Sequence, residues 1–236
     1  MRLDDPELVR LQYETERDLA LRRDAHVCFR EGPDPFDAAL AAVAEVRPRR
    51  VLEVGCGMGQ FAERVARETS AHVVAADLSP RMVELAGQRG LEARVADVQA
   101  LPFANGEFDC AVANAMLYHV ADVDRALGEL ARVLEPGGRL VATTVGAEHM
   151  ADLWQLVGYA VPRRAFSREN GEEQLRRHFA RVERRDVDGT LAFPNAAAVR
   201  RYVDATFFSD AVPRPLPDFE GAFRSRTRGS VFVAQT

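Results

Sequence analysis

Along this chain, short continuous apolar runs alternate with segments whose apolar residues recur three and four positions apart. Val51 to Val54, His72 to Asp77, Glu92 to Ala96 and Phe108 to Ala113 carry the apolar, β-branched content of buried strands. Between them, Phe61, Ala62, Val65 and Ala66 repeat at helical spacing, Ser79 and Pro80 signal a second helix start, and Asp122 to Leu134 predicts an amphipathic helix. Strands alternating with helices predict an α/β fold. Upstream, Pro6 to Phe29 has helical spacing, EGPDP (Glu31 to Pro35) interrupts it, and Phe36 to Val46 predicts a helix ending before Arg47 and Pro48. Downstream of Gly146 the period weakens. Helices are predicted around Met150 to Tyr159, from Gly171, and over Ala196 to Phe207, with strands at Ala180 to Val187 and Ser230 to Gln235. Pro136, Gly137 and Gly138 predict a turn into the fifth strand, with both glycines at positive φ.

The junction between the first strand and its helix reads VLEVGCGMGQF, from Val51 to Phe61. Gly55, Gly57 and Gly59 permit unusual backbone angles and let the main chain approach a ligand without a Cβ in the way. Amides exposed at the start of the following helix favour an anionic group. A nucleotide-type cofactor site is therefore expected here, but Gln60 stands where a dinucleotide fingerprint wants glycine or alanine.

Further candidates fall at strand ends. Asp77 lies 22 residues beyond Gly55, which places a carboxylate at the tip of the neighbouring strand, where it can accept ribose hydroxyls. Its other reading is an N-cap for the next helix. Asp97, with Val98 beside it, follows the third strand and reads either as a ligand contact or as a turn cap. Asp109 is read as structural, bonding amides near a strand start. NAMLYHV, from Asn114 to Val120, follows the fourth strand, where an open parallel sheet binds ligands. His119 is the candidate general base, because imidazole is neutral near pH 7 and accepts a proton; holding the loop is its alternative role. In the N-terminal segment, Arg22 and His26 share a helix face one turn apart and, with Tyr13, are candidates for contact with a substrate; solvated charge and plain packing are their alternatives.

Composition narrows the partners. The 236 residues, with net charge −5, are most simply one domain without a call for nucleic acid or an anionic membrane. All 31 basic residues are arginine, so Schiff-base and P-loop lysine chemistry are excluded. Cys28, Cys56 and Cys110 have no metal-ligand spacing, which predicts no metal site and a reducing, cytoplasmic setting. No signal peptide or membrane-spanning run is read.

VLEVGCGMGQF, VVAADLSPRMVELA, ARVADVQALPFANGEFDCAVANAMLYHV and ARVLEPGGRLVATTVG together resemble, in order and spacing from Val51 to Gly146, the class I S-adenosylmethionine (SAM) methyltransferases of the UbiE-like group (methyltransferase type 11). DLALRRDAH and FSRENGEEQL resemble the flanks of a bacterial subset of these enzymes. The resemblance implies a Rossmann-like, seven-stranded, mainly parallel sheet with an antiparallel last strand, an N-terminal helical cap and lid insertions. It implies one methyltransferase domain over 1–236: a cap at 1–37, a SAM-binding core at 38–147 and a substrate-side half with the last strands at 148–236. It assigns SAM, with S-adenosylhomocysteine as product, to Glu53, Gly55, Cys56, Gly57, Gly59, Asp77, Leu78, Met82, Asp97, Val98 and Asn114. Glu53 goes to the ammonium, Asp77 to the ribose, and Asp97 with the Val98 amide to adenine. Catalytic candidates are His119 and His26, and Tyr13, Arg22, Tyr118 and Asn170 are candidates for the acceptor. Base and glutamine N-methyltransferases carry prolines where this chain has Ala115 and Met116, which counts against those substrates. The expected acceptor is a small molecule, an O or N nucleophile of secondary metabolism, bound by a monomer or homodimer. The alternatives are a non-catalytic SAM sensor and an RNA or protein methyltransferase; an oxidoreductase and an aminopropyltransferase are disfavoured.

Overall fold

The computed structural model describes residues 4–5, 9, 11–13, 15–207 and 209–236. Of the helix expected over Pro6 to Phe29, residues 6–8, 10 and 14 lie outside the described ones, and its later part is α1, Arg17–Phe29. β1, Arg30–Glu31, leads to α2, Pro35–Ala44, whose N-cap Asp34 accepts the Phe36 amide at 2.8 Å. Then come β2, Arg50–Val54; α3, Gln60–Thr69; β3, His72–Asp77; α4, Pro80–Gly87; β4, Glu92–Val95; and β5, Phe108–Asn114. A 3₁₀ turn at Leu117–His119 and α5, Val123–Val133, precede β6, Leu134–Val145. α6, Ala151–Leu156, and α7, Gly171–Leu175, are short; β7, Arg181–Phe193, α8, Ala196–Asp204, and β8, Phe223–Gln235, complete the chain.

The strands form one sheet in the order β1-β7-β8-β6-β5-β2-β3-β4. β4, β3, β2, β5 and β6 pair in parallel, and β8 runs against both β6 and β7. The expected seven strands become eight, because Arg30 and Glu31 pair antiparallel with Leu191 and Thr190 at the edge of β7. β7 and β8 also extend well beyond the predicted strands. The inward positions of early β8 are Ser225 and Thr227, with Arg224 and Arg226 exposed outside, so no apolar alternation betrayed that stretch. The Pro-Gly-Gly turn is a bulge inside β6, between the pairs Phe108–Leu134 and Cys110–Arg139. Only Gly137 there has positive φ; Gly138 is required because a Cβ would stand 2.8 Å from the Glu135 carbonyl.

Alternate residues of β2 and β3 feed two cores. Leu52, Val54 and Val74 pack with Leu127 and Leu130 of α5 on one face, and Val51, Val73 and Ala75 pack with α2 and α3 on the other. A third cluster, with Ala25, Met150, Trp154, Phe193 and Tyr202, joins α1 to α6 and α8. Asp109 accepts the amides of Arg49 and Arg50 at 2.8 and 3.1 Å and so aligns β5 with the start of β2. From β2 the chain winds outward to β4 and then returns to β5 on the other side, so the topological switch lies between β2 and β5.

Candidate active site

The carboxyl ends of β2, β3 and β5 converge on the glycine loop. At Gly55 an added Cβ would come within 2.8 Å of Met116, whose side chain lies on the loop from the turn after β5. Gly57, at φ 53°, turns its amide to Asp77 Oδ2 at 2.8 Å. Gly59 serves packing instead, because its Cβ would meet Ala86 of α4 at 2.9 Å. Cys56 is likewise a core residue: its side chain is buried among α2 and α3, and its amide bonds the Ala76 carbonyl at 3.1 Å.

Asp77 accepts the Gly57 and Ser79 amides, one on each oxygen, at 2.8 and 2.9 Å. A carboxylate has about four acceptor positions, so two remain. Burial pushes its carboxyl above the ordinary value, against the pull of these amides. Glu53 and Asn114 flank the switch point, 2% and 8% exposed, and Glu53 Oε2 and both amide atoms of Asn114 have no hydrogen-bond partner. Burial pushes the Glu53 carboxyl up to about 8, opposed by the nearby Asn114 amide and the Ala62 amide. Buried polar atoms without a partner are rare, and a ligand group at the switch point would satisfy these. The residue after Asn114, Ala115, has φ 51°, a strained position held by two bonds from its amide to Thr143.

Asp97 accepts the Gln99 amide at 2.8 Å and the Gln99 side chain on both oxygens, a turn cap that a cofactor would have to share. Val98 is buried, Leu78 is half exposed beside Asp77, and Met82 is wholly enclosed. An open depression of about 470 Å³ is lined by Gln99, Leu101, Arg125 and Glu129 and by none of the glycine-loop residues.

The N-terminal segment covers the loop. Ser79 Oγ donates to the Tyr13 carbonyl at 2.8 Å, Arg81 pairs with Glu16 at 2.9 Å, and Leu19 faces Gly57. Tyr13 reaches His119, with its hydroxyl 3.5 Å from Nε2. The His119 ring stacks on Phe207 and meets Tyr118, both at 4.5 Å between centroids. Arg22 lies 5.1 Å from the centre of the Phe207 ring and donates to the Ala205 carbonyl. Tyr13, Arg22, Tyr118 and His119 therefore gather at one place.

Two candidates take other roles. His26 accepts from Arg30 on Nδ1 at 3.0 Å, so Nε2 carries the proton and donates to the Tyr202 hydroxyl at 3.3 Å. Burial, then Arg30 and Arg22, hold its pKa down to about 3. Both of its nitrogens are thus engaged within the protein, against Arg30 and Tyr202. Asn170 accepts the Ser167 amide at 2.7 Å and donates to the Ala165 carbonyl at 3.2 Å, so it shapes the loop carrying Arg164 instead of contacting an acceptor. Met116, Arg164, Tyr202, Phe207 and His149 were not singled out from the sequence as site residues. Met116 lies within NAMLYHV, whereas the other four come from the weakly periodic stretch after Gly146, and only the fold brings them against Tyr118, His119 and His26. Among the described residues, no group of three or more His, Cys, Asp or Glu side chains could hold a metal, and no helix is long and apolar enough to cross a membrane.

A glycine loop between β2 and α3, an acid at the tip of β3 and unpartnered polar atoms at the switch point make a nucleotide-type cofactor site on an α/β sheet. Residues 52–142 match the methyltransferase domain family. A demethylmenaquinone methyltransferase of Thermus thermophilus is 43% identical over 110 residues, 44% of this chain and 50% of that protein. A malonyl-[acyl-carrier protein] O-methyltransferase of Pseudescherichia vulneris is 38% identical over 126 residues, 51% of this chain and 50% of that one. The chain thus spans about half the length of these curated relatives. A solved SAM-dependent methyltransferase of Thermotoga maritima shares the fold, with TM-score 0.56, 21% identity and 93% of both chains covered. Over residues 52–142 the chain is thus similar to a methyltransferase domain, in keeping with the resemblance of its motifs to the class I methyltransferases whose cofactor is SAM. The residues present fit that cofactor: the unpaired Glu53 and Asn114 suit an ammonium, and the free acceptor positions of Asp77 suit hydroxyls.

Proposed function

We propose that this protein transfers a methyl group from SAM to a small-molecule acceptor lodged between the N-terminal helix and the turn after β5. The observation that carries this is the set of unpaired buried groups of Glu53 and Asn114 at the switch point, beside a covered aromatic cluster. SAM supplies an electrophilic methyl when bound. The protein's own work is then to hold the donor, align the acceptor and exclude water, and positioning alone offers effective molarities of about 10⁵ to 10⁸ M. Glu53 and Asn114 would take the ammonium and its surroundings, Asp77 the ribose, and Asp97 with the Val98 amide the adenine. Tyr13, Tyr118 and Phe207 would pack the acceptor, and His119 would accept a proton from an acceptor that arrives protonated, worth roughly 10² to 10⁴ in rate. The relatives are named for a quinone precursor and for an acyl-carrier-bound acid, neither of them a nucleic acid. Free thiols at Cys28, Cys56 and Cys110 suit work in a reducing cytoplasm.

Radiolabelled SAM incubated with fractionated extract tests the reading. Label in the small-molecule fraction supports it. Label only in RNA or protein refutes the acceptor class, and SAM binding without any transfer would make the chain a sensor. Once the acceptor is known, His119→Ala should lower kcat and leave SAM affinity unchanged; an unaltered kcat would remove His119 as base.

A further inference from the structure

Two guanidinium groups stand at the aromatic cluster without an ion pair among the described residues. Arg22 donates to the Ala205 carbonyl and to Gln12 Oε1 at 3.3 Å, and Arg164 donates to the Gly146 carbonyl at 3.4 Å. Among the described residues neither forms an ion pair, whereas neighbouring Arg30 has Asp34 at 3.5 Å. Glu169, the acid closest in effect to Arg164, is spent on the Ala147 amide at 3.0 Å. Both groups are partly buried, and rings join them: Arg22 over Phe207, Phe207 on His119, His119 against Tyr118, and Arg164 at 5.9 Å from the Tyr118 ring centre. The carbonyl at the end of α8 offsets part of the Arg22 charge.

The neighbours register this excess of positive charge. Burial and then the surrounding arginines depress both His26 and His149, and His149 accepts the Arg228 amide on Nδ1. Both histidines are therefore neutral and leave the guanidinium charges uncompensated. A cation withdrawn from water without a partner is costly, and the cost is removed when a ligand brings the opposite charge. The guanidinium fork matches a planar or tetrahedral oxyanion.

Resting on the methyl-transfer reading, we propose that the acceptor is an anionic, ring-bearing small molecule. Its oxyanion, a carboxylate or a phosphate, is held by Arg22 and Arg164, while its ring lies among Tyr13, Tyr118, His119 and Phe207. The two arginines thereby set specificity and place the nucleophile.

Calorimetry on the protein saturated with S-adenosylhomocysteine tests this with 4-hydroxybenzoate, phenyl phosphate and neutral 4-hydroxybenzamide. At least one anion should bind about tenfold tighter than the amide, the size of a charge-assisted pair, and whichever anion wins identifies the headgroup. Arg164→Gln should remove that preference and leave amide binding and S-adenosylhomocysteine affinity unchanged, with Arg164→Lys retaining part of it. Arg22→Gln should do the same; because Arg22 also ties down α8, the Arg164 variants carry the test if that one fails to fold. Equal binding of amide and anions, no binding of either anion, or a preference that survives Arg164→Gln overturns the proposal. Failure to bind SAM or S-adenosylhomocysteine would instead overturn the methyl-transfer reading.

Discussion

Glu53 enters the site protonated, because burial holds its carboxyl near 8 against an ordinary 4.5. The folded protein thus retains a proton that the unfolded chain releases between about pH 4.5 and 8, so this residue lowers stability progressively as pH rises through that window. The full effect is on the order of a few kcal/mol. Glu53→Gln should flatten the pH slope of the ligand-free melting temperature between about pH 5 and 8; an unchanged slope would assign it to another group. A ligand ammonium beside Glu53 favours the carboxylate, so SAM affinity should rise with pH over the same interval, with proton release visible in buffers of different ionisation enthalpy. Asp77 acts differently, since it already anchors the loop through Gly57 and Ser79. Asp77→Ala should weaken SAM binding about a hundredfold or more, as two charge-assisted bonds imply, and calorimetry showing unaltered affinity would dismiss the ribose assignment.

At the scale of elements, the cofactor loop is shaped by what packs around it. Gly59 lets the start of α3 touch the end of α4 at Ala86, at φ 79°. Gly59→Ala adds a clash and a strained backbone, a loss of roughly 2 kcal/mol or more, which chemical denaturation would read; a loss below about 0.5 kcal/mol would mean that α4 yields. The cap is held by softer ties, the Ser79–Tyr13 bond and the half-exposed Arg81–Glu16 pair. Such exposed pairs add little to stability.

Taken whole, the molecule couples binding to stability, because the site lies across β2, β3 and β5 at the centre of the sheet. S-adenosylhomocysteine at a hundred times its Kd should stabilise the protein by about 2.7 kcal/mol, or roughly 5–10 °C in melting temperature. No shift at saturation would argue against the site. Phe232 secures the opposite half: it is fully buried on β8, against Phe166 and over Gly171. Phe232→Ala should cost about 3–5 kcal/mol, measured by denaturant unfolding.

The cofactor half was legible because its signals are local: three glycines at alternate positions, an acid at a strand tip, and helix starts at Ser79 and Asp122 all act within a few residues. The N-cap bonds of Ser79 to Met82 and of Asp122 to Arg125 follow directly from that order. The acceptor half was not, since Phe207, Arg164 and His149 belong to segments with weak periodicity, and nothing in their local sequence says that they meet His119. Likewise His26 and Asn170 have the residue types of a site, but the neighbours that occupy their polar atoms, Tyr202 and Arg30 for one and Ser167 and Ala165 for the other, come together only through tertiary packing. By itself, then, the sequence determined the sheet core and the donor loop, through backbone preferences and hydrophobic period. The tertiary structure decided which arginines near the site have no acidic partner among the described residues, what surrounds His26 and His119, and how the long β7–β8 pair joins the sheet, because charge balance and burial depend on residues remote along the chain.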